Sequence, residues 1–194
     1  MKDKKVGAIL LAAGNSSRFG ANKLLYEIEG KPLVQYSMEI ISQLPFEQKI
    51  VVTQYPQVEQ LAKRLGLSWV RNENPERGIS HSIRLGLEKQ GDMDGWMFLV
   101  GDQPWLCRKT VEKLLETFRE SLRGMAAVRC GENIGNPVIF SRTYKKELEK
   151  LSGDRGGKKI LLLHREDVEF VAAKPEELVD LDENPHENCK IRRK

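Results

Sequence analysis

The stretch VGAILLAAGNSSRFGANK, residues 6–23, decides the fold class, because a short apolar run leads directly into a loop rich in glycine and serine. The apolar part, from Val6 to Leu11, predicts a strand that is buried on both faces. In open α/β sheets, ligands bind beyond the carboxyl ends of the strands. The loop from Leu11 to Lys23 is therefore the first candidate binding segment.

Strand and helix patterns alternate along the rest of the chain. The predicted strands are 6–11, 49–53, 67–70, 96–100, 125–129, 137–140 and 168–171. The predicted helices begin near Pro32, Pro56, Ile79, Val111, Tyr144 and Lys158. The run 96–100 has no polar residue, so we expect it at the centre of the sheet. The alternation predicts an α/β, Rossmann-like fold with three layers, in which helices cover both faces of a mostly parallel sheet.

Length and composition indicate one globular domain, residues 1–194, with a core from about 5 to 185 and a basic tail from 186 to 194. Apolar residues make up 40% of the sequence and charged residues 31%, which excludes disordered and fibrous classes. Lys and Arg exceed Asp and Glu by 32 to 28. This excess is too small and too scattered for the basic face of a nucleic-acid-binding protein, so we expect no nucleic acid as partner.

No apolar run approaches the roughly 20 residues that a membrane span needs, so we expect no membrane partner. Lys2 to Lys5 followed by the first apolar run imitates a secretory signal, but the glycine-rich loop directly after it favours a buried strand. The three cysteines and three histidines show neither metal-ligand nor catalytic-triad spacing. Reduced thiols are typical of a cytoplasmic protein, which is the localisation we expect.

The loop after the first strand has the chemistry of a phosphate-binding segment. Its small residues permit backbone N–H groups to converge on an anion; they are Gly14, Ser16, Ser17 and Gly20. Arg18 and Lys23 add two cations, and a triphosphate is a ligand that needs both donors and charges. By composition alone, an ordinary connection with a solvated Arg and Lys is an equal alternative. Neither a Walker loop nor a G-x-G-x-x-G loop is present.

A carboxylate follows the predicted central strand, in Gly101-Asp102-Gln103-Pro104. Mg²⁺ is commonly held by one or two carboxylates together with phosphate oxygens, which makes Asp102 the first candidate ligand. Asp180 and Asp182 alternate along an extended segment and point to opposite sides. We prefer Asp182 as the second ligand, although solvated carboxylates are the alternative reading. The sequence thus predicts a Mg²⁺ site at Asp102 and Asp182.

The loop resembles the nucleotidyltransferase superfamily signature Leu-x-x-Gly-x-x-x-Arg-x-Gly-x-x-Lys, which Leu11, Gly14, Arg18, Gly20 and Lys23 match. This resemblance implies the nucleotide-diphospho-sugar transferase type of fold and a loop that wraps the triphosphate. It implies that Arg18 and Lys23 stabilise the leaving pyrophosphate, and that they act with Asp102 as the catalytic residues. The implied nucleotide-binding residues are Leu11, Ala12, Ala13, Gly14, Ser16, Ser17, Arg18, Lys23 and Ser82.

Gly101-Asp102-Gln103-Pro104 resembles the molybdenum cofactor cytidylyltransferase family, which is MobA-like. Residues 78–83, 135–138 and 153–158 resemble further segments of that family, with Lys158 in place of its usual Arg. Lys cannot bind a phosphate bidentately, so details of phosphate binding differ there. The implied residues for the acceptor substrate are Gln103, Asn136, Asp154 and Lys158.

The resemblance implies that CMP passes from CTP to the terminal phosphate of molybdopterin, with Mg²⁺ as cofactor and pyrophosphate as product. The guanylyl relatives tend to have a glycine where Ala13 stands, which favours CTP over GTP. A guanylyltransferase of the same cofactor, or an enzyme for another acceptor such as a sugar phosphate, is an alternative. A non-catalytic cofactor carrier is a further alternative. A molybdenum hydroxylase or its accessory protein is the partner expected to receive the product.

Overall fold

The computed structural model describes residues 4–15 and 22–181, and its central feature is a seven-stranded sheet. The strands are β1 (Val6–Ala12), β2 (Gln48–Thr53), β3 (Ser68–Arg71), β4 (Gly95–Val100), β5 (Met125–Cys130), β6 (Asn133–Ser141) and β7 (Val168–Ala172). Their order across the sheet is β3-β2-β1-β4-β6-β5-β7. β4 is the middle strand, as its uniformly apolar sequence predicted.

Six α-helices cover the sheet in the described part of the chain. They are α1 (Leu33–Gln43), α2 (Pro56–Arg64), α3 (Ile79–Gln90), α4 (Arg108–Glu120), α5 (Lys145–Glu149) and α6 (Lys158–Leu163). Helices α1, α2 and α4 pack with Ala8 and Leu10 of β1 in one core layer, whereas α3, α5 and α6 pack with Ile9 in the other. Neighbouring residues of a strand point to opposite faces, so each strand joins the two layers. The three-layer α/β prediction is confirmed.

Strand direction decides which residues reach the functional edge. β1, β2, β3 and β4 run parallel, so their carboxyl ends meet at one edge. β6 runs antiparallel to both β4 and β5, and Phe98 of β4 lies opposite Val138 of β6. The beginning of β6 therefore lies beside the end of β4. Gly131, with a φ of 57°, allows the tight turn that reverses the chain between β5 and β6.

Three local features differ from the sequence prediction. A small hairpin pairs Glu27–Ile28 with Lys31–Pro32, so Pro32 ends a strand and Leu33 begins α1. β6 is longer than the predicted strand 137–140, because its first residues pair with β5. Apolar residues at helical spacing from Val111 predict that α4 includes Leu122, yet the Leu122 side chain is fully exposed, since the backbone becomes extended at Ser121.

Within residues 4–15 and 22–181, no helix has the length and apolar character needed to cross a bilayer.

Candidate active site

The described beginning of the phosphate loop is fixed by two residues that follow β2. The Gln54 amide donates hydrogen bonds to the Ala13 carbonyl at 2.9 Å and to the Asn15 side-chain oxygen at 2.8 Å. The Tyr55 hydroxyl donates to the Gly14 carbonyl at 2.7 Å. With these carbonyls bound to the protein, the loop backbone at this point is held in place. Among the described residues, no atom lies within 4 Å of the place that a Cβ atom on Gly14 would occupy.

Lys23 and Asp102 form an ion pair that joins the two halves of the predicted site. Lys23 Nζ lies 2.8 Å from Asp102 Oδ2, and their side chains are 16% and 20% exposed. Close packing brings the two segments together, because a Cβ atom on Gly101 would come within 3.0 Å of Leu24. The Gly101 amide also donates to the Leu11 carbonyl at 3.2 Å. The cation and the carboxylate that sequence motifs singled out are thus neighbours.

The second oxygen of the Asp102 carboxylate, Oδ1, is buried and has no hydrogen-bond partner among the described residues. Buried carboxylate oxygens are costly unless a proton donor or a cation satisfies them. A divalent cation would satisfy Asp102 Oδ1. Lys23 alone would balance only part of the negative charge of a triphosphate. The donor set therefore fits Mg²⁺, although the described residues contain no cluster of three or more potential ligands.

The end of the described chain, at residues 180 and 181, lies against Asp102 and Gln103. The Leu181 amide donates a 3.0 Å hydrogen bond to the Asp102 carbonyl. One residue earlier, Asp180 Oδ1 accepts a 2.9 Å hydrogen bond from the Gln103 side-chain amide. Asp180 is thus engaged with Gln103, whereas Asp182, our preferred second metal ligand, lies outside the described residues.

A cavity of about 570 Å³ lies next to Gln103 and Asp180, above the end of β4 and the beginning of β6. Its wall contains three of the four residues predicted for the acceptor substrate, Gln103, Asn136 and Lys158, and also Leu11 from the phosphate loop. Lys158 is exposed and has no ion pair within the described part of the chain. We call this space the acceptor cavity. Its floor is apolar and includes Phe98, Val138 and Phe140.

Two glycine-bearing segments meet at one side of the cavity. Gly78 has a φ of 79°, and a Cβ atom there would collide with the backbone of Gly153 and the side chain of Asp154. The Gly153 carbonyl accepts a hydrogen bond from the Ser80 amide at 3.2 Å. Asp154 itself is exposed and does not line the cavity, so it stands against the beginning of α3.

Ser82 lies in the first turns of α3 but is 5% exposed, and its hydroxyl accepts a 3.0 Å hydrogen bond from Asn72. The described structure does not bring it to the cavity wall. Beside it, burial lowers the pKa of His81 from its ordinary value of 6.5, and the charges of Arg77 and Arg84 lower it further. His81 is therefore neutral at neutral pH. The predicted loop residues Ser16, Ser17, Arg18 and Gly20 lie outside the described residues.

Sequence patterns did not single out Gln54 or Tyr55. The only available signal was their position directly after a predicted strand of the parallel sheet, where binding residues concentrate. Both side chains act on backbone carbonyls about 40 positions away, and no local spacing reports such a contact.

We expect Tyr55→Phe to raise the KM for the nucleoside triphosphate by about 3- to 10-fold, the scale of one neutral hydrogen bond. The hydroxyl that restrains Gly14 is lost, while the ring remains. Steady-state kinetics with varied nucleotide checks this, with the KM for the acceptor substrate expected within about twofold of the wild type. Tyr36→Phe is the matched control, because its hydroxyl also donates a 2.7 Å hydrogen bond to a carbonyl, that of Ile28. Equal effects of the two variants would contradict the role of Tyr55.

The phosphate loop begins beside an ion-paired carboxylate at the top of a mostly parallel sheet, an arrangement that fits a nucleotidyltransferase. The MobA-like NTP transferase domain model matches residues 8–168. The chain belongs to this family.

One relative and two solved structures are similar to this chain. The chain is 30% identical over 149 residues to a probable molybdenum cofactor guanylyltransferase of Pyrococcus furiosus, covering 74% of this chain and 71% of the relative. The crystal structure of Rv0371c from Mycobacterium tuberculosis H37Rv is similar, with a TM-score of 0.81, 25% identity and coverage of 100% and 98%. A structure of Rv0371c in complex with manganese gives a TM-score of 0.74 at 23% identity, with coverage of 96% and 97%.

Proposed function

We propose that this nucleotidyltransferase transfers CMP from CTP to the terminal phosphate of molybdopterin and releases pyrophosphate. The observation that carries the proposal is the 2.8 Å contact between Lys23 and Asp102, because it joins the phosphate loop to the segment that borders the acceptor cavity. A cation and a carboxylate at that junction lie between a nucleotide on one side and a second substrate on the other. A carrier would have no use for a cation beside the leaving group.

The chemistry asks for little besides positioning and charge. The attacking phosphate is already an anion, so no side chain needs to remove a proton from it. The protein holds the two substrates in line and stabilises the charge that develops on the pyrophosphate, as in phosphoryl transfer generally. In this proposal Lys23 and Arg18 stabilise the pyrophosphate, and the loop backbone from Leu11 to Ser17 surrounds the triphosphate.

Asp102 and Asp182 would hold Mg²⁺. The unpartnered oxygen of Asp102 supports this, and Asp182 is the residue that follows Leu181, whose amide binds the Asp102 carbonyl. When bound, Mg²⁺ neutralises phosphate charge and orients the triphosphate. Rv0371c, which has a similar fold, has been solved in complex with manganese, and this supports a metal ion in the proposed site.

The acceptor cavity is proposed to hold molybdopterin. Lys158 supplies a free cation for a phosphate, Gln103 and Asn136 supply amides, and the apolar floor suits a flat ring system. Asp154, which lies outside the wall, is proposed to act through the position of the 153–158 segment. A sugar phosphate is the alternative acceptor, but the apolar floor offers few partners for its hydroxyl groups. A molybdenum hydroxylase or its accessory protein is the proposed recipient.

The base is the least constrained part of the proposal. Ala13 is buried at 6% exposure, and its methyl group favours the smaller base of CTP. GTP is the second candidate, and the name of the Pyrococcus furiosus relative, probable molybdenum cofactor guanylyltransferase, favours it.

Pyrophosphate release tests the function directly. Each of the four nucleoside triphosphates is incubated with the protein and Mg²⁺, with and without molybdopterin. We expect release with CTP only when molybdopterin is present. Release with GTP and not with CTP, in the presence of molybdopterin, would establish the second candidate. If no nucleotide gives release in the presence of molybdopterin, the proposal is overturned.

We expect Ala13→Gly to raise the ratio of kcat/KM for GTP to that for CTP by about 10-fold, the scale on which one methyl group discriminates between substrates. Removal of the methyl group makes room for a larger base. Competition between the two nucleotides in one reaction measures the ratio. Ala8→Gly is the control, because it removes a buried methyl group from the middle of β1, away from the loop, and should lower stability without altering the ratio. An unchanged ratio in Ala13→Gly would remove the structural ground for CTP.

A further inference from the structure

The acceptor cavity is lined by Gln103, a buried residue whose side-chain amide is oriented by a hydrogen bond to Asp180. Gln103 is 2% exposed, and its Nε2 donates a 2.9 Å hydrogen bond to Asp180 Oδ1. An ionised carboxylate can only accept hydrogen bonds, so the NH₂ end of the Gln103 amide has to face Asp180. The other end, the carbonyl oxygen Oε1, is therefore turned away from Asp180. An amide without such a partner could flip by 180° and exchange donor for acceptor.

Oε1 of Gln103 has no hydrogen-bond partner among the described residues, although it is buried. Buried amide oxygens nearly always have a partner, and Gln103 is one of the residues that line the cavity, so a ligand bound there is a candidate source of the missing donor. The nearby floor is apolar, with Phe98 and Val138, and a low local dielectric strengthens a hydrogen bond made there. Gln103 thus has an unused acceptor beside the cavity.

We propose that Asp180 is a positioning residue that holds Oε1 of Gln103 as a hydrogen-bond acceptor, and that Gln103 selects substrates whose ring system presents an N–H group at this point. The inference rests on the proposed function, since it assigns the cavity to the acceptor substrate. A pterin has such groups, namely its ring N–H and its amino group. A ring without N–H donors would leave Oε1 unsatisfied and bind more weakly.

Gln103→Met tests the contact, because it keeps the length of the side chain and removes the amide. We expect the KM for molybdopterin to rise by about 10-fold, with the KM for the nucleotide within about twofold of the wild type. Asp180→Asn tests the positioning, because an asparagine can donate as well as accept and no longer fixes the amide. We expect a smaller rise, about threefold.

The double variant Gln103→Met/Asp180→Asn separates positioning from a direct role of Asp180. If Asp180 acts only through Gln103, the double variant binds molybdopterin as Gln103→Met does. Additive effects would overturn the positioning role. Gln35→Met is the matched control, because Gln35 makes the same type of bond, 2.8 Å from its amide to Glu39, in helix α1. It should leave both KM values unchanged.

Binding of pterin, the ring system without a phosphate, keeps this test separate from the proposed function. Pterin fluorescence reports binding without turnover. If Gln103→Met binds pterin as tightly as the wild type, the recognition proposal is overturned even where nucleotide transfer occurs. If the wild type transfers nothing to molybdopterin, the proposed function fails, while weaker pterin binding by Gln103→Met still supports recognition of an N–H donor. Absence of pterin binding to the wild type overturns the recognition proposal.

Discussion

Asp102→Asn is expected to lower kcat for nucleotidyl transfer by roughly 10²–10³-fold, the scale on which loss of one preorganised charge acts. The substitution keeps the shape of the side chain and removes the charge that pairs with Lys23 at 2.8 Å. It also removes the buried anionic oxygen that is proposed to bind Mg²⁺. The Mg²⁺ concentration that gives half of the maximal rate should therefore rise. Initial rates over a range of Mg²⁺ concentrations give both numbers.

Asp92→Asn is the matched control for this prediction. Asp92 also pairs with a cation, Arg142 at 3.2 Å, but its side chain is 83% exposed. Exposed ion pairs contribute little to stability, and this one lies outside the proposed machinery, so the control should keep wild-type rates. Near-normal turnover in Asp102→Asn would remove Asp102 from the site. Thermal melting of each variant shows whether a lost rate reflects a lost fold.

Lys23→Met is expected to lower kcat/KM for the nucleotide, with a loss of transition-state stabilisation of about 2–4 kcal/mol. Methionine retains most of the length of the side chain, so the result reports the missing charge. Kinetics with varied nucleotide should show a higher KM together with a lower kcat, because the cation is proposed to contact the phosphates before and during the reaction. A change in KM alone would mean that Lys23 binds the ground state and the transition state equally, and would contradict a specific role in the transition state.

Loss of Lys23 also leaves the Asp102 carboxylate without its partner in a partly buried place, which lowers stability. The double variant Lys23→Met/Asp102→Asn removes both charges, so it should melt nearer to the wild type than Lys23→Met while remaining inactive. Lys31→Met is the control, since Lys31 pairs with Glu39 at 2.6 Å near the small hairpin. If Lys31→Met lost as much activity as Lys23→Met, the effect would not be specific to the site.

The sequence predicted the parts of the fold and site that depend on local patterns. The apolar run of β1, the loop after it and the central place of β4 follow from the order of residue types alone. The meeting of Lys23 with Asp102 follows from one further rule, that parallel strands present their carboxyl ends at a common edge. A relation between residues 79 positions apart was thus within reach of the sequence.

The direction of β6 could not be predicted from the sequence, because a strand's direction depends on which neighbour it pairs with and not on its own residues. The same limit applies to Tyr55 and Asp180. Each makes a hydrogen bond to a distant segment, and neither stands in a recognisable motif. Asp180 and Asp182 could be told apart only by which way the 179–181 segment runs past Asp102, and that depends on tertiary packing.

Because β6 runs in the reverse direction, the phosphate loop and the cavity wall at Asn136 belong to separate structural units. The phosphate loop grows out of parallel strands whose spacing is set by β1, β2 and β4. The cavity wall at Asn136 instead belongs to a hairpin with its own turn at Gly131, on the far side of β4. Insertions or deletions in that turn can reshape the wall while β1 and its loop keep their register. If the cavity holds the acceptor as proposed, redesign of the enzyme for new acceptors should begin at this hairpin.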